Sequence, residues 1–277
     1  MQPSPSETFE SQAPLTGVYL FCLAGPAALG APVEGTGIDG RSPVALRQMG
    51  DVVAVVSETS LEDFTGPDAE ARMRNVEWLG PRALLHEQVI EQVAASSPVL
   101  PVRLGTFFSS EETLGRLVAR HRETIVAFLD RVAGHEEWAI RGYVQRERAI
   151  DMRVKAAMAS SPPALSASRG IRYMQEKRMI AQAEVGLQAW LQETADRLWS
   201  ELKAVSSSAV ERNILPPSEG QPGEMIFNWA VLVPAADVPR LHALIARFDE
   251  ELGPAGVTLR ESGAWPPYSF APSLGEP

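Results

Sequence analysis

His86-Glu87 and His135-Glu136 each open like the HExxH zinc helix, in which two imidazoles one turn apart share a face and grip a metal. Ile90 and Ala139 stand where the second histidine would have to be. The other two histidines, His121 and His242, have no cysteine or histidine at ligand spacing. Gly35-Thr-Gly-Ile-Asp-Gly40 has the GxGxxG spacing that lets a backbone approach a pyrophosphate, which needs a strand just before and a helix just after. Here Pro32 precedes the motif and Pro43 follows with a strand-like run, so it reads as a glycine turn. Cys22 is the single cysteine; it lies in an apolar run with nothing to lower its thiol pKa, and reads as a small core side chain. The neighbouring carboxylates Glu111 with Glu112, Glu136 with Glu137 and Glu250 with Glu251 face apart on any regular element and do not make acid/base pairs. No P-loop and no nucleophile elbow occurs. The expectation is a protein that is not an enzyme, with no catalytic residue, no metal and no cofactor.

Recognition chemistry remains. The ending Ser262-Gly-Ala-Trp-Pro-Pro-Tyr-Ser-Phe270 sets two prolines in series, which predicts a stiff, polyproline-like rod. Trp265, Tyr268 and Phe270 then project from that rod, either to pin the C-terminus on the domains or to meet a partner. Arg172, Lys177 and Arg178 make a basic patch for an acidic partner, or else the solvated face of a helix start balanced by Glu176. Arg103 lies in the apolar run 98–108 and needs a carboxylate or an exposed face. These seven residues form the candidate partner-binding set.

The chain of 277 residues is 45% hydrophobic and 22% charged, with a formal net charge of -10. That balance argues against nonspecific nucleic-acid binding and against docking on anionic lipid. No run is apolar and long enough to span a bilayer. The expectation is a cytoplasmic protein with neither nucleic acid nor membrane as partner. The polar, proline-bearing start has no basic n-region and reads as a disordered leader over residues 1–15.

The elements that must position these residues follow from periodicity. Residues 17–23 read as a buried strand, and 44–48 with 52–57 as a hairpin around Met49-Gly50-Asp51. A helix over 68–95 is expected to kink or divide at Gly80-Pro81. Residues 98–108 read as one strand, and Ser109 opens a helix with Glu112 in a capping box, running to Gly134. In the second half, 137–144 is a strand and 156–168 an Ala/Ser/Pro loop. The run 170–205 is a long helix, whose seam Leu187, Leu191, Leu198 and Leu202 is core or a dimer contact. Strands follow at 206–215 and 226–233. Asp237 then caps a helix ended by Gly253-Pro254, and a last strand covers 257–261. The fold class expected is α+β in two domains: a mixed α+β domain over residues 16–134 and a ferredoxin-like β-α-β-β-α-β domain over 135–262. An aromatic and proline-rich tail over 263–277 packs back on them.

Several blocks, in order, resemble the gas vesicle accessory protein family GvpF/GvpL. They are Tyr19-Leu-Phe21, Gly37-Ile-Asp-Gly40, Val76-Glu-Trp-Leu79 with His86-Glu87, and Val99-Leu-Pro-Val-Arg-Leu-Gly-Thr-Phe107. Glu137-Trp138, Gly170-Ile-Arg-Tyr-Met174, residues 228–233 and Trp265-Pro-Pro-Tyr-Ser-Phe270 follow. Pro81 departs from the continuous helix expected of relatives. The resemblance implies a non-enzymatic, accessory or minor structural role in building gas vesicles. Its implied partners are the major shell protein (GvpA-type) and other gas vesicle accessory proteins during nucleation and assembly. The competing reading from the residues is a small-molecule-binding regulatory module with a ferredoxin-like domain.

Overall fold

The computed structural model describes residues 16–275 except 32, 63, 65–67 and 161–168. The chain is α+β and divides into two compact units, one reaching Ala133 and including the residues from Ala271 on, the other Gly134–Phe270.

In the first unit, β1 (Thr16–Ala24) is apolar along nearly its whole length and is buried throughout after Thr16. A strand of that kind belongs inside a sheet. It pairs antiparallel with β3 (Val52–Ser60), which forms a hairpin with β2 (Val44–Met49). Gly50 turns the hairpin at φ 72°, a left-handed value. On its other side β1 meets two short strands, β4 (Val99–Pro101) and β5 (Phe107–Phe108). The expected strand over 98–108 is therefore two pieces. Gly105 turns left-handed between them at φ 88°, and the Thr106 hydroxyl donates to Arg103 O at 2.7 Å.

The helices of this unit depart from expectation at their ends. The break in the first lies at Asn75, between α1 (Ala69–Arg74) and α2 (Val76–Ala94), and not at Gly80-Pro81. The Asn75 side chain accepts from the Glu77 and Trp78 amides and so caps α2. The helix runs on through Pro81, and Arg82 Nη1 donates to Trp78 O at 2.9 Å in the turn that proline loosens. The next expected helix is two, α3 (Glu111–Arg120) and α4 (Arg122–Val132), with the chain bending at His121. Ser110, rather than Ser109, caps α3 by accepting from Thr113 N, while Glu112 pairs with Arg116. Arg122 grips Asp51 in the hairpin turn with two hydrogen bonds.

The second unit is a four-stranded antiparallel sheet in the order β7-β8-β6-β9, from β6 (His135–Val144), β7 (Ser208–Glu211), β8 (Glu224–Pro234) and β9 (Val257–Trp265). Three helices accompany it: α5 (Arg146–Ser160), α6 (Arg169–Val205) and α7 (Val238–Leu252). Helix α5 was not expected. It buries only Ala149 and Val154, so it shows no apolar stripe. Residues 156–160 of the expected loop are its last turn, and 161–168 lie outside the described residues. Helix α7 follows Asp237, whose carboxylate bonds Arg240 instead of a backbone amide. Its left-handed stop comes at Gly256, while Gly253 is right-handed.

The leucine seam is core. Leu187, Leu191, Leu198 and Leu202 pack in one cluster with Leu241, Ile245 and Phe248 of α7 and Trp229, Val231 and Val233 of β8. At about 1.5–3 kcal/mol per buried leucine, these four alone supply about 6–12 kcal/mol toward fixing the second half of α6 on the sheet. No helix among the described residues is long and apolar enough to cross a membrane.

Candidate partner surfaces

The first half of α6 has no such anchor. From Gly170 to Gln182 no side chain is buried, and Ala183 is the first that is. Arg172, Lys177 and Arg178 all project to solvent here. Several other basic side chains of this unit hold a carboxylate, as Arg146 does Glu224, Arg197 Glu251 and Arg247 Glu201. Among the described residues Arg172, Lys177 and Arg178 form no ion pair, and Lys177 Nζ lies 5.9 Å from the centre of the Tyr173 ring. The first turn of the helix carries no acidic residue. Of the three, only Arg172 lies in that first turn, where a basic group opposes the positive end of the helix dipole.

Between these cations stand large apolar groups open to solvent. Ile171 is 53% exposed, Met174 67% and Val185 82%, and Tyr173 is exposed as well. The 3-4-3-4 spacing of Ile171, Met174 and Val185 with Arg178 and Ala181 was readable in the sequence. The leucine seam farther along has the same period.

The tail is built differently from the expected rod. Strand β9 continues to Trp265, four residues past the expected end, and residues 268–270 close into a 3-10 turn. Tyr268 N donates to Pro266 O at 2.7 Å and Phe270 N to Pro267 O at 3.3 Å, because a fixed proline φ suits a tight turn as well as a rod. Phe270 is buried, Tyr268 is half-buried, and Trp265 is 43% exposed. The anchor of this turn is Ser269. Its amide and hydroxyl donate to the Glu137 carboxylate at 2.9 and 2.7 Å, with Arg212 Nη2 3.4 Å away. Glu137 is only 1% exposed. Burial pushes its carboxyl above the usual carboxylate range, against the opposing pull of Ser269 and Arg212. Nothing in the sequence paired Ser269 with Glu137, which stand 132 residues apart.

His86 and Cys22 lie in the core of the first unit, and the glycine loop lies against β3. Tyr19 Oη donates to His86 Nδ1 at 2.7 Å, and His86 Nε2 donates to Val102 O at 3.1 Å. A carbonyl only accepts, so the proton sits on Nε2 and Nδ1 is the acceptor. Burial pushes the His86 pKa down to about 4 and the Tyr19 phenol well up, which keeps both neutral. Phe21 stacks on the imidazole at 5.7 Å. The glycine loop is closed by Asp39, which accepts from the Arg41 and Ser42 amides and the Ser42 hydroxyl. A Cβ on Gly37 would lie 2.5 Å from Ser57 Oγ, so the loop packs closely on β3 at this glycine. Cys22 is fully buried, and burial pushes its thiol up. Arg103 takes the exposed-face alternative, in the turn between β4 and β5.

A groove of about 150 Å³ lies beside the buried half of α6. It runs between Gln188, Leu191 and Gln192 and the Arg146–Glu224 ion pair, with Ile214 and Met225 at its sides.

The family described as gas vesicle synthesis protein GvpL/GvpF matches residues 17–272. Gas vesicle protein L of a Streptomyces strain is 28% identical over 254 residues, covering 91% of this chain and 92% of its own. Gas vesicle protein L1 of Halobacterium salinarum is 26% identical, with 99% of each chain covered. Crystal structures of GvpF superpose with the same fold. That from an Anabaena species has a TM-score of 0.62 at 20% identity, covering 94% of this chain and 98% of its own. That from Microcystis aeruginosa has a TM-score of 0.61 at 17% identity, covering 93% and 99%. The chain belongs to the gas vesicle GvpL/GvpF family.

Proposed function

We propose that the protein is an accessory or minor structural component of gas vesicles. In this reading it binds the major shell protein (GvpA-type) and other gas vesicle accessory proteins in the cytoplasm during nucleation and assembly, and is not an enzyme. Family membership over nearly the whole chain supports the setting. The observation that carries the binding role is the outer half of α6, where Ile171, Met174 and Val185 stand in solvent beside three cations without ion pairs among the described residues. Apolar area of that kind on a folded chain marks a contact surface. We also read Gly134–Phe270 as a ferredoxin-like unit. Its β-α-β-β-α-β course, with α5 added before α6, and its strand order β7-β8-β6-β9 support that reading.

The test is co-expression of the tagged chain with the shell protein and, separately, with each accessory protein, followed by capture. Retention of shell or accessory protein is expected, and capture of none overturns the role. The groove beside the Arg146–Glu224 pair favours the alternative, a small-molecule regulatory module. At about 150 Å³ it falls below the ~300–1,000 Å³ of ordinary ligand sites, and its two charges neutralise each other. Thermal stabilisation by a metabolite library would support that alternative.

A further inference from the structure

Helix α6 carries two heptad seams. The inner one, Leu187, Leu191, Leu198 and Leu202, is spent on the core. The outer one is Ile171, Met174, Arg178, Ala181 and Val185, spaced 3-4-3-4, and every one of its side chains is exposed. At 100° per residue its mean direction lies roughly 130° around the helix from the inner seam, so it faces away from the sheet. Beyond Val185 the same phase continues as Gln188 and Gln192, which ends the apolar stripe. The stripe is therefore about four turns, or about 21 Å, long.

We propose that this outer seam receives an amphipathic helix of another gas vesicle protein, apolar at heptad spacing and flanked by carboxylates. The proposal rests on the binding role proposed above. Charge chooses the occupant. Residues 169–182 hold Arg169, Arg172, Lys177 and Arg178 against Glu176, a local excess of positive charge in a chain of net charge -10. Arg178 stands at the midpoint of the stripe. A two-fold pairing that overlaps the whole seam with a second copy, parallel in register or antiparallel about its midpoint, would set Arg178 against Arg178, with the two Lys177 close by, inside an otherwise apolar contact. Like charges so placed disfavour self-association and favour a partner with acidic residues at that level. The Arg178 stem adds apolar cover while its guanidinium reaches the rim.

The test uses the full chain and two labelled helical peptides of about 21 residues, long enough to cover the stripe at 1.5 Å per residue with a turn to spare at each end. Both have leucine and isoleucine at the seam positions. One carries glutamate and the other lysine at the flanking positions. Fluorescence anisotropy is expected to show binding of the acidic peptide only, weakened at high salt. Met174→Ser and Arg178→Glu each weaken it tenfold or more, and Arg178→Glu gains binding of the basic peptide. Circular dichroism confirms that both variants stay folded. Binding of neither peptide, equal binding of both, or indifference to these two substitutions overturns the proposal. So does a dimer in sedimentation that Met174→Ser dissolves. The same variants in the capture experiment separate the two claims. Shell or accessory protein retained equally by wild type and variants refutes the seam and leaves the binding role standing. Peptide binding with no vesicle protein captured refutes the role and leaves the chemistry of the seam.

Discussion

Ser269→Ala removes one hydroxyl and tests the tail anchor. The lost bond is 2.7 Å long and ends on a carboxylate that is almost wholly buried. A hydrogen bond to a charged group contributes about 1.5–3 kcal/mol, and the Ser269 amide bond remains, so a loss of about 2 kcal/mol is expected at neutral pH. For a unit of this size that corresponds to a melting temperature lower by about 6 °C. The loss has a pH signature. The folded pKa of Glu137 is raised, so between its ordinary and raised values the folded state holds more protons than the unfolded, and stability falls as pH rises through that window. Removing Ser269, which pulls this pKa down, raises it further and widens the window. The deficit of the variant is therefore small at about pH 4, where the carboxyl is protonated, and full above the raised pKa. Urea unfolding followed by tryptophan fluorescence at about pH 4 and pH 7.5 measures both values. Glu137→Gln combined with Ser269→Ala should lose less than the sum of the single changes, since both act on one contact. A loss under about 0.5 kcal/mol at the higher pH, or one equal at the two pH values, refutes the reasoning.

The His86 pKa of about 4, set against an ordinary 6.5, means the unfolded chain binds more protons between those values, so stability is full above pH 6.5 and falls by about 3 kcal/mol toward pH 4. Urea titrations across that range check it, and Tyr19→Phe, which strips the donor from His86 Nδ1, should cost a further ~1–2 kcal/mol at neutral pH. Gly142→Ala would put a methyl 2.3 Å from the Phe227 ring, which is itself stacked on Trp229 at 3.8 Å, and is expected to destabilise by about 1–3 kcal/mol in thermal unfolding. Pro81→Ala at an exposed position inside α2 restores a helical N–H and should stabilise by about 1 kcal/mol or more, read as a higher urea midpoint.

Elements with strong local patterns were legible in the sequence. β1 and β8 are apolar runs that only a sheet interior accepts, and the α7 stripe and the seam of inner leucines both lie where the period of the chain puts them. What escaped was decided by particular side chains acting at a distance. Asn75 moved the helix break away from the Gly80-Pro81 pair, whose cost is limited because Arg82 serves the loosened turn. Helix α5 hid because arginines and alanines cover it and one small and one branched side chain are all it buries. The tail was read from its rings, and the group that holds it is a serine whose partner lies on another strand. The basic residues of α6 stand close together in the sequence, but the apolar row among them shares its period with the inner seam, and only burial separates the two.

Helix α6 is 37 residues long, about 55 Å, and its two halves are held by different means. From Leu187 onward packing on the sheet protects the amides. Toward Gly170 no side chain is fully buried before Ala183, and apart from its packing against α5 this stretch relies on local propensity, which is marginal for a helix in water. The amide hydrogens should therefore exchange in a gradient, slowest near Leu198 and fastest at the outer end, with opening free energies falling from nearly the global value toward zero. A partner helix seated on the outer turns, as proposed above, would first have to order them. Its affinity is lowered by the ordering it imposes, and its arrival is reported by amides it never touches.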